Sequence, residues 1–548
     1  MATAFTMPVL RELFTNHELL HREAHQPTSV PDGVRSVGIL GGGTAGWLMA
    51  LALKTRVPWL EVTLIEAPDL PIIGVGEATV PSLVAFLHHY LELDVLDFTR
   101  EVRPTWKQGI RFEWGQPGDY VFQAPFDWEV NGVGLLGAMA EEQNVSAFTL
   151  QGHLMAQGTT PILETNGELQ SFLPILAFAY HLDNPSLVAF LEKTAAELEV
   201  RHLRAEVVEV ETASVEGDDD PHVKRLVTRD GATIERDFYV DCSGFGSFLL
   251  EKALGARFES YASSLFTDRA LAFQAPHHGR PMPYTTATTM DAGWCWTIPM
   301  RDSDHHGYVY ASAHLSDDAA LAELKKRWPE AEGERLVRFR SGRHDRAWIG
   351  NVFAVGNAYG FVEPLESTGL MMIQRAVTDL VRAFPIGPHS QAMRGFLNRS
   401  IGRDWDRLRW FLAAHFKFNA KLDTPFWRDC RAEVDVAGIE GALELYRALG
   451  PLSLLPRAMR NSVKDEVGVF FYGLHGLDTI LLGQRVPHAP VAREPRERWI
   501  ARRALAAEFA SRGLPYAEAL EAIEAHPEWL VQVVSHPSGW VAKMAEFI

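Results

Sequence analysis

Residues 37–50 read Val-Gly-Ile-Leu-Gly-Gly-Gly-Thr-Ala-Gly-Trp-Leu-Met-Ala, a short apolar run that continues through clustered glycines into a helical pattern. Gly41, Gly43 and Gly46 have the G-x-G-x-x-G spacing, which lets a backbone turn tightly against a pyrophosphate at a helix N-terminus. A second apolar strand is predicted to end at Glu66, where a carboxylate can accept hydrogen bonds from a ribose. The stretch therefore predicts a domain that binds an unphosphorylated adenine dinucleotide.

The composition argues against several classes of protein. The chain has 548 residues and a net charge of −18, so it lacks the positive surface of nucleic-acid binders, and no nucleic-acid partner is expected. Three cysteines without a C-x-x-C spacing argue against disulfides and a thiolate metal site, and they fit a reducing cytoplasm. The sequence contains neither a membrane-spanning apolar run nor a signal-peptide pattern. Residues 1–35 are expected to be a flexible or loosely docked extension.

Two further glycine-rich turns follow predicted apolar strands. Residues 238–242 lead into Ser243-Gly244-Phe245-Gly246, and residues 351–355 lead into Gly356-Asn357. With a β-rich stretch at 284–299 between them, these junctions predict an α/β (α+β) fold. The expected architecture is a Rossmann-like FAD-binding domain of the flavin monooxygenase type with an inserted β-sheet. A second complete G-x-G-x-x-G module for a nicotinamide is absent, so reducing equivalents are expected to arrive from elsewhere.

The pattern along the chain also predicts how the fold is divided. Residues 36–385 are expected to form the flavin-binding core, and 386–548 a mainly helical substrate-binding region. Helices are predicted in that region at 391–414, 439–449 and 498–526. In the core, strands near 201–215 and 223–240 are expected to pair through the Asp230-Gly231 turn. The histidine pairs His88-His89 and His305-His306 are interpreted as surface residues.

Several motifs resemble those of the tryptophan halogenase family of flavin-dependent halogenases. The resemblance runs from about residue 36 to residue 430 and includes Lys107 in its sequence context. The other matching motifs are Val-Gly-Glu-Ala-Thr-Val-Pro (75–81), Val-Asp-Cys-Ser-Gly-Phe (240–245), Trp294-x-Trp296-x-Ile298-Pro299, Glu-Pro-Leu-Glu-Ser-Thr-Gly (363–369) and Asp-Thr-Pro-Phe-Trp (423–427). The W-x-W-x-I-P run joined to E-P-L-E-S-T-G is highly specific for this family.

The resemblance implies a mechanism in which reduced FAD and O2 oxidise chloride or bromide to hypohalous acid. The acid travels through a tunnel to an electron-rich aromatic ring, and a lysine in the tunnel holds or carries the halogen. Lys107 matches that lysine. Its ammonium could donate a hydrogen bond to hypohalous acid, or a lysine of lowered pKa could form a haloamine. Both routes stay open from the sequence.

Glu366 matches the family's carboxylate that faces the substrate, where it would take the proton lost from the ring. The backbone amides of Thr368 and Gly369 lie where a helix is predicted to begin, so they can attract a halide without a positive side chain. In this family, residues matching Trp294, Trp296 and Pro299 line the tunnel near the flavin. The two indoles there are thought to oppose the monooxygenase reaction.

The cofactor and partner predictions follow from the glycine junctions and from the resemblance. The predicted cofactor is FAD, used as FADH2, and the predicted co-substrates are O2 and chloride or bromide. A separate NAD(P)H-dependent flavin reductase is expected to supply the reduced flavin. No metal is expected. The residues predicted to contact FAD are Gly41, Gly43, Thr44, Ala45, Gly46, Glu66, Val75, Gly76, Ala78, Val207, Gly356, Asn357 and Leu370.

The substrate end departs from the pattern of the family members that act on free tryptophan. Phe126, Phe471 and Tyr472 are the candidate substrate-binding residues, and Phe126 could stack on a ring. Groups that would grip the ammonium and carboxylate of an amino acid are not evident. The expected substrate is therefore tryptophan or another indole, free or in a peptide, or a phenol, with a carrier-bound pyrrole less favoured. The site of halogenation and the preferred halide are left open.

Two alternatives compete with a halogenase. One is a related flavin-dependent aromatic monooxygenase that hydroxylates its substrate, and the other is a non-catalytic flavin-binding protein. Hydrolases and metal enzymes are not indicated, because the sequence has no G-x-S-x-G elbow and no H-E-x-x-H motif. Monomer and homodimer are both compatible with the sequence.

Overall fold

The structure is a computed structural model of the chain and describes residues 33–68, 76–126, 149–277, 279–384, 390–467, 473–491 and 495–545. Most of the predicted N-terminal extension lies outside these residues, as do Val75, Phe471 and Tyr472. Within the described ranges, no helix is both long enough and apolar enough to cross a membrane.

Strands occur in the described chain from residue 36 to residue 515. They are β1 (Ser36–Leu40), β2 (Glu61–Glu66), β3 (Glu77–Ala78), β4 (Thr105–Lys107), β5 (Gly109–Glu113), β6 (Phe122–Pro125), β7 (Thr159–Thr165), β8 (Glu168–Ser171), β9 (Ala179–Leu182), β10 (Arg201–Arg204), β11 (Val207–Ser214), β12 (Pro221–Thr228), β13 (Thr233–Ile234), β14 (Phe238–Asp241), β15 (Phe258–Ser260), β16 (Arg269–Ala275), β17 (Thr285–Met290), β18 (Gly293–Pro299), β19 (Asp304–Tyr310), β20 (Glu332–Arg338), β21 (Gly342–His344), β22 (Trp348–Ile349), β23 (Val352–Ala354), β24 (Gly360–Phe361) and β25 (Gly513–Pro515).

Helices separate the strands and dominate the C-terminal third. They are α1 (Thr44–Arg56), α2 (Pro81–Ala85), α3 (Val95–Val102), α4 (Leu150–Gln157), α5 (Asn184–Glu197), α6 (Asp317–Arg327), α7 (Gly369–Ala383), α8 (Gln391–Lys417), α9 (Pro425–Glu433), α10 (Glu440–Leu449), α11 (Arg457–Val467), α12 (Gly473–Gly483), α13 (Arg496–Ser511), α14 (Tyr516–Ala525), α15 (Glu528–Ser535) and α16 (Trp540–Ala545).

The central sheet has the strand order β10-β2-β1-β14-β23-β22. Its neighbouring strands run parallel except for the β22–β23 pair. The apolar residues of β1, β14 and β23 are buried, as expected for strands covered on both faces. Because β1, β14 and β23 are parallel, the glycine junctions that follow them meet at one edge of the sheet. The predicted Rossmann-like architecture is confirmed.

A second sheet has the order β20-β16-β19-β18-β17-β5-β6; β16 to β20 are inserted between β14 and β23, and β5 and β6 come from the segment before β14. Its pairs are antiparallel apart from β17 with β5. This sheet is the predicted β-sheet insertion, and its strand β18 carries the W-x-W-x-I-P motif. In a small sheet, β3-β9-β4, the central strand β9 pairs on one side with β3 and on the other with β4, the strand that ends in Lys107.

The C-terminal region is mainly helical, as predicted, but one predicted helix is wrong. Residues 498–526 are split into α13 and α14 by β25, which pairs with β7. A Cβ on Gly513 would lie 2.4 Å from the Thr160 carbonyl oxygen, so only glycine allows this close approach of the two strands.

The predicted pairing of residues 201–215 with 223–240 is confirmed for β11 and β12, but the turn predicted to join them is wrong. β11 pairs with β12, and the Asp230-Gly231 turn connects β12 to the short β13. The flanking strands β10 and β14 belong to the central sheet instead. The alternating pattern identified strands correctly, but it carries no information on which strand pairs with which.

The histidine pairs are not the surface residues that were expected. His88 is buried, and its ring hydrogen-bonds to the Leu93 carbonyl and to the Tyr180 hydroxyl. His305 and His306 are buried on β19. Burial of an imidazole is tolerated where hydrogen bonds satisfy its nitrogens, and the residues that supply them are distant in sequence.

Candidate active site

The first glycine junction has the close approaches that its spacing predicts. Gly41 has a φ of +124°, and its N–H donates to the Ile65 carbonyl at 2.9 Å. A Cβ on Gly46 would lie 1.9 Å from the Gly41 carbonyl oxygen, whereas a Cβ on Gly43 would meet no atom within 4 Å. The start of α1 therefore faces open space, which suits the binding of a phosphate at a helix N-terminus.

Glu66 ends β2 beside this junction, but its carboxylate already has a protein partner. His202 Nε2 lies 2.9 Å from Glu66 Oε2, and a Cβ on Gly42 would lie 2.2 Å from the carboxyl carbon of Glu66. The sequence did not single out His202. Val207, another predicted cofactor contact, begins β11, which belongs to a separate three-stranded sheet.

The second junction is organised by a buried carboxylate. Asp241 at the end of β14 accepts hydrogen bonds from the backbone N–H groups of Ser243, Leu249 and Leu250. These contacts fix the glycine-rich turn, in which Gly244 has a φ of +66° and open space where a Cβ would lie. The turn can therefore approach a bound molecule closely.

The third junction packs against the first. A Cβ on Gly356 would lie 3.4 Å from the Ala45 Cβ, and Gly356 has a φ of +65°. Asn357 is exposed and lines a cavity of about 350 Å³ with Phe245 and Phe361. The three junctions together present open backbone at one edge of the central sheet, so the residues present fit a bound flavin dinucleotide.

Lys107 is completely buried at the end of β4. Its Nζ donates hydrogen bonds to the Thr79 carbonyl at 3.0 Å and to the Ser367 Oγ at 2.6 Å, and it lies 5.6 Å from the centroid of the Phe126 ring. Burial lowers the pKa of Lys107 to about 7, and the nearby carboxylate of Glu366 opposes that shift. This lysine is therefore poised to exchange a proton near neutral pH.

Glu366 lies on the same loop as Ser367 and is also buried. Its Oε1 lies 2.6 Å from His415 Nε2, and His415 Nδ1 lies 2.9 Å from the Phe411 carbonyl. Because Ser367 contacts Lys107, the structure brings the predicted lysine and carboxylate to one place. His415, which comes from α8, was not identified from the sequence.

After Ser367 the loop continues into α7. Ser367 has a φ of +59°, and Thr368 precedes the helix without a side-chain hydrogen bond to its first turn. A Cβ on Gly369 would meet no atom within 4 Å, and Leu370 behind it is buried. The first amides of α7 are thus oriented to attract an anion.

Strand β18 forms a wall beside this loop. Trp294 Nε1 donates to Glu363 Oε2 at 2.7 Å, and burial raises the pKa of Glu363 to about 7. The two indole centroids are 6.0 Å apart, and Trp296 lies on Gly307, where a Cβ would be 1.9 Å from its ring. The Pro299 carbonyl accepts a hydrogen bond from Thr105 Oγ1, which ties β18 to the strand of Lys107.

A tyrosine from the C-terminal region fixes that same strand. The Tyr516 hydroxyl accepts from the Trp106 N–H at 2.7 Å and donates to the Trp106 carbonyl at 2.8 Å. Trp106 immediately precedes Lys107, and Tyr516 is buried at the start of α14. α14 therefore helps to position the lysine, although 410 residues separate the two partners.

Replacing Tyr516 by phenylalanine is expected to lower the free energy of unfolding by about 2 kcal/mol, because two buried backbone groups lose their partner. Urea unfolding measures the change. Tyr120→Phe is the matched control, since it removes the hydroxyl's hydrogen bonds with the Gly483 carbonyl and with Arg485 at a partly exposed site and should cost about 1 kcal/mol or less. Equal losses in the two variants would contradict the positioning role of Tyr516.

The fold and the site first define a class: a flavoprotein with a Rossmann-type sheet, an inserted antiparallel sheet and a buried lysine beside a carboxylate. Comparison with known proteins then identifies the family, because residues 36–493 match the tryptophan halogenase family. The chain belongs to the tryptophan halogenase family, whose members are flavin-dependent halogenating enzymes.

Individual relatives agree with this assignment. The crystal structure of MibH, a lanthipeptide tryptophan 5-halogenase, is 50% identical, covers 95% of this chain and 100% of its own, and has a TM-score of 0.90. Tryptophan 7-halogenase RebH of Lentzea aerocolonigenes is 34% identical over 75% of this chain and 81% of its own. Xcc4156, a flavin-dependent halogenase from Xanthomonas campestris, is 30% identical over 89% of this chain and 98% of its own, with a TM-score of 0.77. The predicted halogenase is confirmed at the level of the family, and the hydroxylase alternative is not favoured.

Proposed function

We propose that the protein is an FADH2-dependent halogenase that chlorinates or brominates the indole of a tryptophan carried in a peptide. The observation that carries the proposal is the buried Lys107 Nζ, held by Ser367 directly beside Glu366. An ammonium and a carboxylate at one buried place suit the delivery of an electrophile to a ring and the removal of the ring proton.

The open glycines support a flavin site at the edge of the central sheet. Gly41, Gly43, Gly46 and the start of α1 would hold the pyrophosphate, and Gly356 with Asn357 would hold the flavin end. The remaining proposed contacts are Thr44, Ala45, Glu66, Gly76, Ala78, Val207 and Leu370. When bound and reduced, the flavin would give two electrons to O2, so that one oxygen atom ends as water and the other oxidises the halide to hypohalous acid. A separate NAD(P)H-dependent reductase would provide the reduced flavin.

The protein groups then guide the acid and the proton. Thr368 and Gly369 would hold the halide at the start of α7, and Trp294, Trp296 and Pro299 would shape the passage toward Lys107. Two of the three N–H groups of the Lys107 ammonium donate to Thr79 and Ser367, and the third would donate to hypohalous acid. Phe126 would stack on the indole, and Glu366 would accept the ring proton.

A peptide substrate is supported by two observations. The chain is 50% identical to a lanthipeptide tryptophan halogenase over 95% of its length, but 34% identical to RebH over 75%. The sequence also shows no evident groups for gripping the ammonium and carboxylate of a free amino acid. A tryptophan within a peptide presents neither group beside its indole, so the lack of such contacts fits a peptide. Residues 386–548 are proposed to form the surface that accepts it.

Reconstitution tests the proposal. Purified protein is combined with FAD, a flavin reductase, NADH, O2 and bromide, and offered free tryptophan, indole, phenol and short peptides with one internal tryptophan. The expected result is bromination of a peptide ring, seen as the bromine isotope doublet by mass spectrometry. Faster conversion of free tryptophan would overturn the peptide assignment, and an oxygenated product formed without halide would indicate a hydroxylase. Parallel reactions with chloride decide the preferred halide.

The lowered pKa of Lys107 predicts a pH dependence. If the ammonium donates to hypohalous acid, the yield of halogenated product per flavin oxidised should fall as the pH rises from about 6 to about 8, because the proton leaves the amine near pH 7. A haloamine route requires the free amine and predicts a rise over the same range. At each pH, the halogenated product is measured by mass spectrometry and the amount of flavin oxidised by stopped flow, and their ratio is the yield.

A further inference from the structure

His415 contacts Glu366, the candidate base, and packs among aromatic side chains. It is fully buried on the last turn of α8, and its ring packs 5.1 Å from the centroid of Phe411 and 5.6 Å from that of Phe112. The predicted chemistry gives it no role. An imidazole in such surroundings is stable only when both of its nitrogens have partners.

The two contacts of the ring fix where its protons lie. Nδ1 faces the Phe411 carbonyl at 2.9 Å, and a carbonyl only accepts, so Nδ1 carries a proton. Nε2 faces Glu366 Oε1 at 2.6 Å. Two bare acceptors would repel at that distance, so a proton also lies between Nε2 and Oε1. The pair therefore carries no net charge, whichever of the two atoms holds the shared proton.

We propose that His415 is a positioning residue that orients the carboxylate of Glu366 toward the substrate ring and neutralises its charge in the buried site. This inference rests on the proposed halogenase function. When the ring C–H bond breaks, its electron pair returns to the ring and the proton moves to the Glu366 carboxylate. The imidazole keeps the shared proton, so the pair gains one proton and releases it to water after the product leaves.

The proposal requires that loss of His415 slows ring deprotonation and not flavin chemistry. In His415→Phe, Glu366 loses its hydrogen bond and its balancing charge, and the rate of peptide bromination should fall about 100-fold. Flavin oxidation should continue, and hypobromous acid should escape to a scavenger in solution. His415→Gln restores a donor toward Glu366 and should recover at least part of the rate.

An isotope effect separates this role from a merely structural one. A short peptide with one internal tryptophan is supplied as an equal mixture of normal and ring-deuterated forms, and the bromide products are compared by mass spectrometry. Wild type should show no preference, since deprotonation is fast after the halogen has added. His415→Phe should favour the normal form, because slow proton loss lets the added bromine leave the ring again and makes the addition reversible. A variant that is slow but shows no isotope preference and releases no hypobromous acid would overturn the proposal.

His88 provides the matched control. It is a buried histidine whose Nδ1 also faces a backbone carbonyl, that of Leu93, but its other nitrogen faces the Tyr180 hydroxyl. His88→Gln should reduce stability without creating an isotope preference. If it creates the same preference as His415→Phe, the effect is a general loss of packing and the proposal is wrong.

NMR of the resting protein tests the role of His415 without any halogenation reaction, so it is independent of the proposed function. In protein labelled with 15N-histidine, the His415 resonances, assigned by their loss in His415→Gln, should show a protonated Nδ1 and a hydrogen-bonded Nε2 that shifts in Glu366→Gln. A bare Nδ1 would overturn the inference even if peptides are brominated. A wild type that brominates no substrate while these resonances behave as expected would instead count against the proposed function.

Discussion

Lys107→Ala is expected to lower the yield of brominated product about 1,000-fold, while flavin oxidation stays within about twofold of wild type. The lysine is fully buried and its nitrogen lies beside Glu366, so alanine leaves no ammonium at that position to hold hypohalous acid. Its hydrogen bonds go to Thr79 and Ser367, which leaves the glycine junctions that would hold the flavin untouched.

Lys107→Met tests whether the nitrogen or the volume matters. Methionine fills much of the space of the lysine stem but donates no hydrogen bond, so it should be as inactive as alanine and more stable. Product is measured by mass spectrometry, flavin oxidation by stopped flow, and escaped hypobromous acid with a scavenger. Retained bromination in Lys107→Met would show that the amine is not needed and would remove the main support for the proposed mechanism.

The parts of the fold that the sequence predicts are those set by local backbone demands. Gly41 and Gly46 are required by a turn whose contacts lie within a few residues, so their spacing alone identifies the first junction. The helix after Thr368 and the strand containing Trp294 follow in the same way from short patterns. Local patterns also located β11 and β12 as paired strands, but they assigned the wrong turn to the pair and did not show that β10 and β14 join the central sheet.

The contacts that complete the candidate site come from distant parts of the chain. Ser367 is 260 positions from Lys107, and Tyr516 is 410 positions from Trp106. His415 reaches Glu366 from a helix whose apolar pattern gives no hint of a polar partner. Whether a histidine is buried and what it contacts depend on neighbours that are distant in sequence. For this reason His88 was wrongly expected on the surface, and His415 was not identified at all.

Gly46→Ala is expected to yield protein that retains no flavin. Its free energy of unfolding should be about 2 kcal/mol lower than that of wild type. Alanine usually stabilises a helix interior relative to glycine by about 1 kcal/mol. Here its Cβ would lie 1.9 Å from the Gly41 carbonyl oxygen, so the turn between β1 and α1 must open. Overpacking of this kind costs about 1–3 kcal/mol or more and displaces the amides that would face the pyrophosphate.

Gly43→Ala is the matched variant because it separates binding from folding. Gly43 has φ −78° and ψ −178°, which alanine adopts readily, and its Cβ would meet no protein atom. Gly43 is the N-cap of α1, where glycine is preferred to alanine, so the free energy of unfolding should fall by only about 0.5–1 kcal/mol. If the open space is the pyrophosphate site, the methyl group occupies it and raises the flavin Kd about tenfold, equivalent to about 1.4 kcal/mol. Urea unfolding and flavin titration of both variants give the comparison. Unchanged flavin affinity in Gly43→Ala would show that the flavin does not bind at this junction, because a methyl group that occupied the pyrophosphate site would have to weaken binding.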